Sequence, residues 1–352
     1  MFIGPHGPSS CGSRRMPSAS GPADGLFPSF PGVALPDPWM RRGRLISPED
    51  LPGSYRLVQV PACWELAGGM VRISFTARDA ANRGYVFTLD ADPHEAMRIV
   101  RLDRTPILGP ERVEGSQGVG ISTVLDDGDG RLCAYGGALR LTPPNYDISV
   151  VTMTSEDGGR SFSDPRVVLS AEQNNGLPVV SGCVRREGPT WRMWYAAFES
   201  WRPIADNPPD SRYSIRHATS PDGLTWTPDT GVALARRSEA EAGIISPTVL
   251  KSVTGYEMWC SRRGPFDDRN ALLRRYRLIR ATSPDGHRFT ADDAAQVFAN
   301  PPLPGDWDCE MQCYPHIVAG KGRADMLLYC GNGYGAAGIG WASRPAAPIC
   351  SS

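Results

Sequence analysis

The sequence predicts an all-β chain, folded as a five-bladed β-propeller of four-stranded antiparallel blades. Three observations carry that expectation. One phrase is written three times, as TSEDGGRSF from Thr154, TSPDGLTW from Thr219 and TSPDGHRF from Thr282. Strand-like segments flank every copy in the same order, and a long internal period of this kind governs the whole architecture. Helical periodicity is nearly absent, and 38 Gly with 33 Pro suit short strands joined by tight turns.

Taken in order, residues 1 to 45 are rich in Pro, Gly and Ser and read as a mobile leader, so the propeller is expected over 46–346. Units then begin near 58, 119, 179, 244 and 313. The first, VPACWELAGGMVRISFTARDAANRGYVFTLDAD, has the order of the others with its Asp-Gly turn degenerated. The second ends in YDISVVTMTSEDGG, the third in YSIRHATSPDG and the fourth in YRLIRATSPDG. The third and fourth open on paired strands, GCVRREGPTWRMWYAAFES and PTVLKSVTGYEMWCSRRG, and the fifth is HIVAGKGRADMLLYCGNGYGAAGIGWAS with a turn at GKGR. Radial repetition of such units hides most sheet edges. In each SPDG the Ser and Asp side chains are expected to bond their own turn, while Gly supplies a positive φ. Phe162, Trp226 and Phe289 then start the next strand and fill the space between sheets. The spacing of the acidic residues does not suit a Ca²⁺ loop.

Bulk properties exclude some function classes. Lys+Arg 37 against Asp+Glu 38 leaves no field that would gather nucleic acid or an anionic membrane, so a small or neutral partner is expected. Nine cysteines, odd in number and set mostly in apolar runs, read as buried free thiols of a reducing compartment. Cys309 and Cys313 have no second metal-spaced pair, so neither a metal nor a cofactor is expected. No signal-type apolar region and no run of 18 apolar residues occurs, and the expectation is a cytoplasmic protein.

WDxExxxYP, Trp307 to Pro315, and GNGYGxxGIG, Gly331 to Gly340, join the SxDG turns and the MWY and MWC strands in a resemblance. The chain resembles the five-bladed propeller glycosidases of families 32, 43, 62, 68 and 130 over about residues 50 to 345. It is most similar in texture to uncharacterised family 43-like proteins. The resemblance implies a funnel on the propeller axis into which innermost strands aim carboxylates, one protonating the leaving oxygen and another activating water or attacking C1. Family 43 enzymes place a base Asp just before a Pro in the first blade, and here Val60 precedes Pro61.

The acids that enter later units are then the candidates: Glu241 before the fourth inner strand, with Asp308 and Glu310 before the fifth, form the expected catalytic set. Glu239 lies two residues from Glu241 and reads as its solvent-side neighbour. Glu114 enters the second unit and is taken as substrate-binding with Arg78, Asp79 and Arg262, whose second-strand ends lead onto one face. Arginine forks suit a carboxylate, a phosphate or an interblade salt bridge. Trp201, Trp307 and Tyr334 offer rings on which a sugar could stack, or could simply pack between blades. His217 and His316 lie within strands and read as satisfied core histidines.

Two functions follow. One is a carbohydrate-active enzyme cleaving or transferring a glycosyl group in the axial funnel, acting on a small sugar, a glycoside or a sugar phosphate. The other is a propeller that has lost glycosidase chemistry and binds sugar or runs another reaction in the same funnel, for which the missing Asp-Pro is the main argument.

Overall fold

A computed structural model describes residues 37–346, apart from 205–206, 266–274 and 321–322. The first strand, β1 (Met40–Ile46), belongs to the last sheet. Blade I comprises β2 (Tyr55–Glu65), β3 (Val71–Asp79), β4 (Gly84–Asp92) and β5 (Arg98–Leu102). Blade II comprises β6 (Ser116–Asp126), β7 (Leu132–Thr142), β8 (Asn145–Ser155) and β9 (Arg166–Leu169). Blade III follows as β10 (Val179–Glu187), β11 (Thr190–Ile204), β12 (Asn207–Ser220) and β13 (Thr227–Leu234). Blade IV is β14 (Glu241–Ser252), β15 (Gly255–Pro265), β16 (Tyr276–Ser283) and β17 (Thr290–Asp292). Blade V is β18 (Cys313–Val318), β19 (Asp325–Cys330), β20 (Ile339–Arg344) and, returning from the start of the chain, β1.

Within each blade the strands pair antiparallel in chain order, and single parallel contacts, Gly84 with Gly118 and Tyr213 with Gly243, join blades I to II and III to IV. The innermost strands β2, β6, β10, β14 and β18 each pack on the next, and β18 packs on β2, which closes the ring. The expected unit starts all fall inside these inner strands. Part of the expected GKGR turn lies outside the described residues.

One expectation is corrected. Residues 37–45 belong to the propeller, because β20 would otherwise present an unpaired edge, and β1 covers it. Trp39 is fully buried beneath the Arg344 guanidinium, which lies 4.3 Å from its ring. The remaining expected leader, 1–36, lies outside the described residues.

Blades are held to one another by side chains that meet backbone groups no sheet partner can reach. Thr123 in β6 accepts from Val184 N in β10 at 3.2 Å, and Thr248 in β14 accepts from Ile317 N in β18 at 3.1 Å. His316 occupies the matching position in β18 and accepts from Cys63 N in β2 at 3.0 Å through Nε2. The imidazole is thus the fifth blade's version of a threonine cap.

The SxDG turns sit on the face opposite the starts of the inner strands. Ser220 Oγ donates to Asp222 Oδ1 at 2.9 Å and accepts from Gly223 N at 2.9 Å, while Asp222 Oδ1 accepts from Leu224 N and Thr225 N at 2.8 and 2.7 Å. The backbone N–H groups of Thr225 and Leu224 hold the Asp222 carboxyl down to about 2. A turn carbonyl then accepts from an aromatic donor in the preceding blade: Gly158 from Trp64 at 3.2 Å, Gly223 from Tyr135 at 2.9 Å and Gly286 from Trp194 at 2.7 Å. Gly223 is required twice over, since its φ is 73° and an added Cβ would lie 2.5 Å from the Tyr135 hydroxyl. Phe162, Trp226 and Phe289 are buried beneath these turns, as expected.

Tyr135→Phe removes one of the two donors to the Gly223 carbonyl, which keeps its bond from Trp226 Nε1 at 3.1 Å, so urea unfolding is expected to show a loss of about 0.5–1.5 kcal/mol. A second expectation concerns acid. Burial pushes the His316 pKa down to about 4, so between the unfolded value near 6.5 and that value the folded chain binds fewer protons than the unfolded one. The associated stability is complete above pH about 6.5 and falls by up to about 3 kcal/mol as the pH drops through the window. Unfolding of His316→Gln, whose amide oxygen can accept from Cys63 without titrating, should show a shallower slope over that range than the wild type.

Candidate functional site

All five inner strands begin on one face of the ring, where the second strands also end, and this mouth receives nearly every residue singled out from sequence. Each inner strand carries a register shift near its middle. In three of them the shift falls at a residue of positive φ before proline: Val60 (51°), Ser246 (54°) and Tyr314 (54°). The backbone device that re-aims a side chain is therefore present, but none of these three residues is an acid.

Below the mouth lies a buried polar cluster. Arg263 of blade IV makes a bidentate pair with Asp210 of blade III, both bonds 2.7 Å. The Tyr213 and Tyr276 hydroxyls are hydrogen-bonded, and the Tyr276 ring lies 5.9 Å from both Tyr314 and Tyr334. Arg78 donates to Gln59 Oε1 and to the Asn82 carbonyl, each at 2.9 Å, and Gln59 Nε2 donates to the Tyr334 carbonyl at 2.7 Å, linking blades I and V. Burial lowers the Arg78 pKa. The expected partner Asp79 turns away and pairs with Arg83 at 2.8 Å, beside an open hollow of about 430 Å³ on blade I.

A second region gathers three of the predicted residues. A cavity of about 510 Å³ opens at the mouth-side end of blade IV, lined by Glu241 and Arg262 together with Arg237, Arg275 and Arg277. Glu241, almost completely buried, accepts from Arg237 N at 2.7 Å and from Arg237 Nε at 3.0 Å, and Arg262 Nε lies 3.1 Å from Oε1. Arg262 also pairs with Asp293. Glu310 stands at the edge, half-exposed, with Oε2 3.2 Å from Arg275 and its carbonyl accepting from Arg277.

Asp308 goes elsewhere. It is wholly buried and accepts from Arg41 Nε and Nη2 at 2.9 and 2.6 Å and from the Tyr329 hydroxyl at 2.7 Å. Its carboxylate fastens β1 to β19. The two motifs near it interlock for the same reason: Asn332 Oδ1 accepts from Glu310 N and Met311 N at 2.7 and 2.9 Å, and Trp307 stacks on Tyr329 with ring centroids 5.3 Å apart. An added Cβ at Gly331 or Gly340 would come within 2.3 or 2.4 Å of the Trp307 ring. Trp201 packs on Tyr146 and Phe198, at 5.1 and 5.4 Å. Glu114 is exposed and engages Arg140 through its carbonyl. Glu239 pairs with Arg212 at 2.6 Å on the surface.

His217 and His287 both place Nδ1 on Asp229 Oδ2, at 2.9 and 3.0 Å. The group has metal-ligand spacing, but Arg192 Nε donates to His217 Nε2 at 3.0 Å. A metal on Nδ1 would require a proton on Nε2, facing that donor. The trio is a clasp between blades III and IV.

Sequence reasoning missed Arg41, Arg237, Arg275 and Arg277. The last two stand in RRYRLIR, where Arg275 and Arg277 alternate along one strand face, Arg277 inside the repeated segment and Arg275 just before it.

No family model matches the chain. Two uncharacterized proteins of Mycobacterium tuberculosis are each 29% identical over 316 residues, covering 86% of this chain and 98% of theirs. Among solved structures, an alpha-L-arabinofuranosidase from Podospora anserina in complex with cellotriose superposes with a TM-score of 0.61 at 11% identity, covering 89% of this chain and 98% of that one. A Bombyx mori GH32 beta-fructofuranosidase gives 0.57 at 14% identity, covering 85% and 62%. A thermostable family-43 glycoside hydrolase gives 0.55 at 12%, covering 83% and 89%. The chain therefore has the fold of the propeller glycoside hydrolases.

If Asp308 serves the joint between β1 and β19, Arg41→Met should strand a buried carboxylate and lower stability by about 3 kcal/mol in urea unfolding.

Proposed function

We propose that the protein binds a small sugar or glycoside in the cavity at the mouth-side end of blade IV and carries no paired-carboxylate hydrolytic centre among its described residues. The observation that carries this reading is a cavity of about 510 Å³, a volume suited to a small ligand, lined by Glu241 and Arg262 and flanked by Glu310 through its pair with the lining Arg275. The glycosidase fold supports a sugar as the ligand. Against hydrolysis stands the state of the acids. A general acid must present a protonated oxygen to the leaving group, and its partner must present a free lone pair to water or C1. Glu241 has both oxygens engaged by Arg237, and Asp308 has both engaged by Arg41. Val60 stands where the resemblance asks for the base.

One observation favours a second reading, glycosyl transfer through Glu310. Of the three candidate acids it alone is half-exposed, with only Oε2 in an ion pair.

Titration of the purified protein against a panel of neutral mono- and disaccharides, run beside assays on activated aryl glycosides, separates the two. Binding without turnover is the expected result. Turnover that Glu310→Gln abolishes would transfer the assignment to the second reading, and failure to bind any sugar would remove the first.

A further inference from the structure

The cavity at the mouth-side end of blade IV holds four arginines against three carboxylates, Glu241, Asp292 and Asp293. Its cations are not equally satisfied. Arg237 is committed to Glu241, and Arg275 to Glu310. Arg262 is only 6% exposed, yet its Nη2 is buried without a hydrogen-bond partner, and its Nε, though near Glu241, is not aligned to donate. Leaving a buried charged donor without a partner is costly. Arg277 engages only backbone carbonyls, those of Tyr276 and Glu310, and pairs with no carboxylate among the described residues. Burial and the like charge of Arg275 both lower its pKa, which shows two guanidiniums crowded on one side of the strand start.

A neutral sugar hydroxyl would meet these groups one bond at a time. An oxyanion meets them with several acceptor atoms and a compensating charge, and guanidinium forks match its geometry. Resting on the reading of this cavity as a sugar site, we infer that the ligand carries an oxyanion group, phosphate or carboxylate, held by Arg262 Nη2 and Arg277. Arg237 and Arg262 keep Glu241 neutralised, so the buried acid does not repel that group. Arg275 shares its charge between Glu310 and the incoming anion.

Calorimetric titration with inorganic phosphate, a hexose 1-phosphate, a hexuronate and the neutral hexose, each at 50 and 300 mM salt, tests this. The phosphorylated or the carboxylated sugar should bind at least tenfold more tightly than the neutral hexose, with an advantage that shrinks at high salt, and whichever of the two binds more tightly identifies the group. Arg277→Ala, which removes a guanidinium with no carboxylate partner among the described residues, should keep the thermal midpoint and weaken anion binding at least tenfold. Arg262→Lys, which keeps a charge for Glu241 but loses the fork, should weaken it as well. Equal affinity for charged and neutral sugars, or undiminished anion binding by Arg277→Ala, would overturn the inference and leave the sugar site standing. Binding of phosphate with no sugar bound at all would do the reverse.

Discussion

Three of the blade-to-blade contacts, I to II, II to III and III to IV, depend on a single kind of joint: a carbonyl in the turn of one blade accepting the N–H or O–H of an aromatic residue in the blade before it. Trp64, Tyr135 and Trp194 make this bond to Gly158, Gly223 and Gly286. A carbonyl buried between sheets must find a donor, and an indole or phenol supplies one while its ring fills the wedge between diverging blades. Serine and aspartate hold the turn in the shape that presents the carbonyl. Blade spacing follows from these contacts, and inner-strand caps such as Thr123, Thr248 and His316 fix the same spacing near the axis.

With the ring rigid, chemistry is left to the mouth, and there the chain invests in arginine. Only Lys251 and Lys321 are lysines among the 37 basic residues. Guanidiniums serve as permanent structural cations at Asp210, Glu241, Glu257 and Asp308, each with geometry an ammonium would not reproduce. An acid so held is a poor proton donor and a good charge anchor. Glu241 and Asp308 thus have their lone pairs already in use, and among the cations Arg262 and Arg277 are left with capacity.

The architecture was legible because the repeat is local. SPDG, the aromatic that follows it and the strand before it lie within about a dozen residues of one another, so the sequence displays the physical unit whole. The site was half legible. Glu241 and Arg262 stand at strand ends, where the sequence points to them, but Arg277 lies inside the repeated segment and Arg275 just before it, and Glu310, which meets both, enters the next blade. Asp308 misled for a reason of distance: it shares a strand face with Glu310, but its cation is Arg41, 267 residues away in a stretch whose composition resembles a linker. Nothing local distinguishes an acid aimed at a ligand from an acid aimed at a remote arginine.

The pairing of β1 with β20 sets an order of events during synthesis. Arg42 reaches Ser343 across 301 positions, so the strand that leaves the ribosome first has to wait for nearly the last to find its partner. Four blades can assemble from neighbouring segments, each closing short loops. The fifth cannot. Until its last strand appears, the nascent ring is an open horseshoe with two raw edges, and that is the interval in which a chaperone, or another nascent copy, would have something to hold.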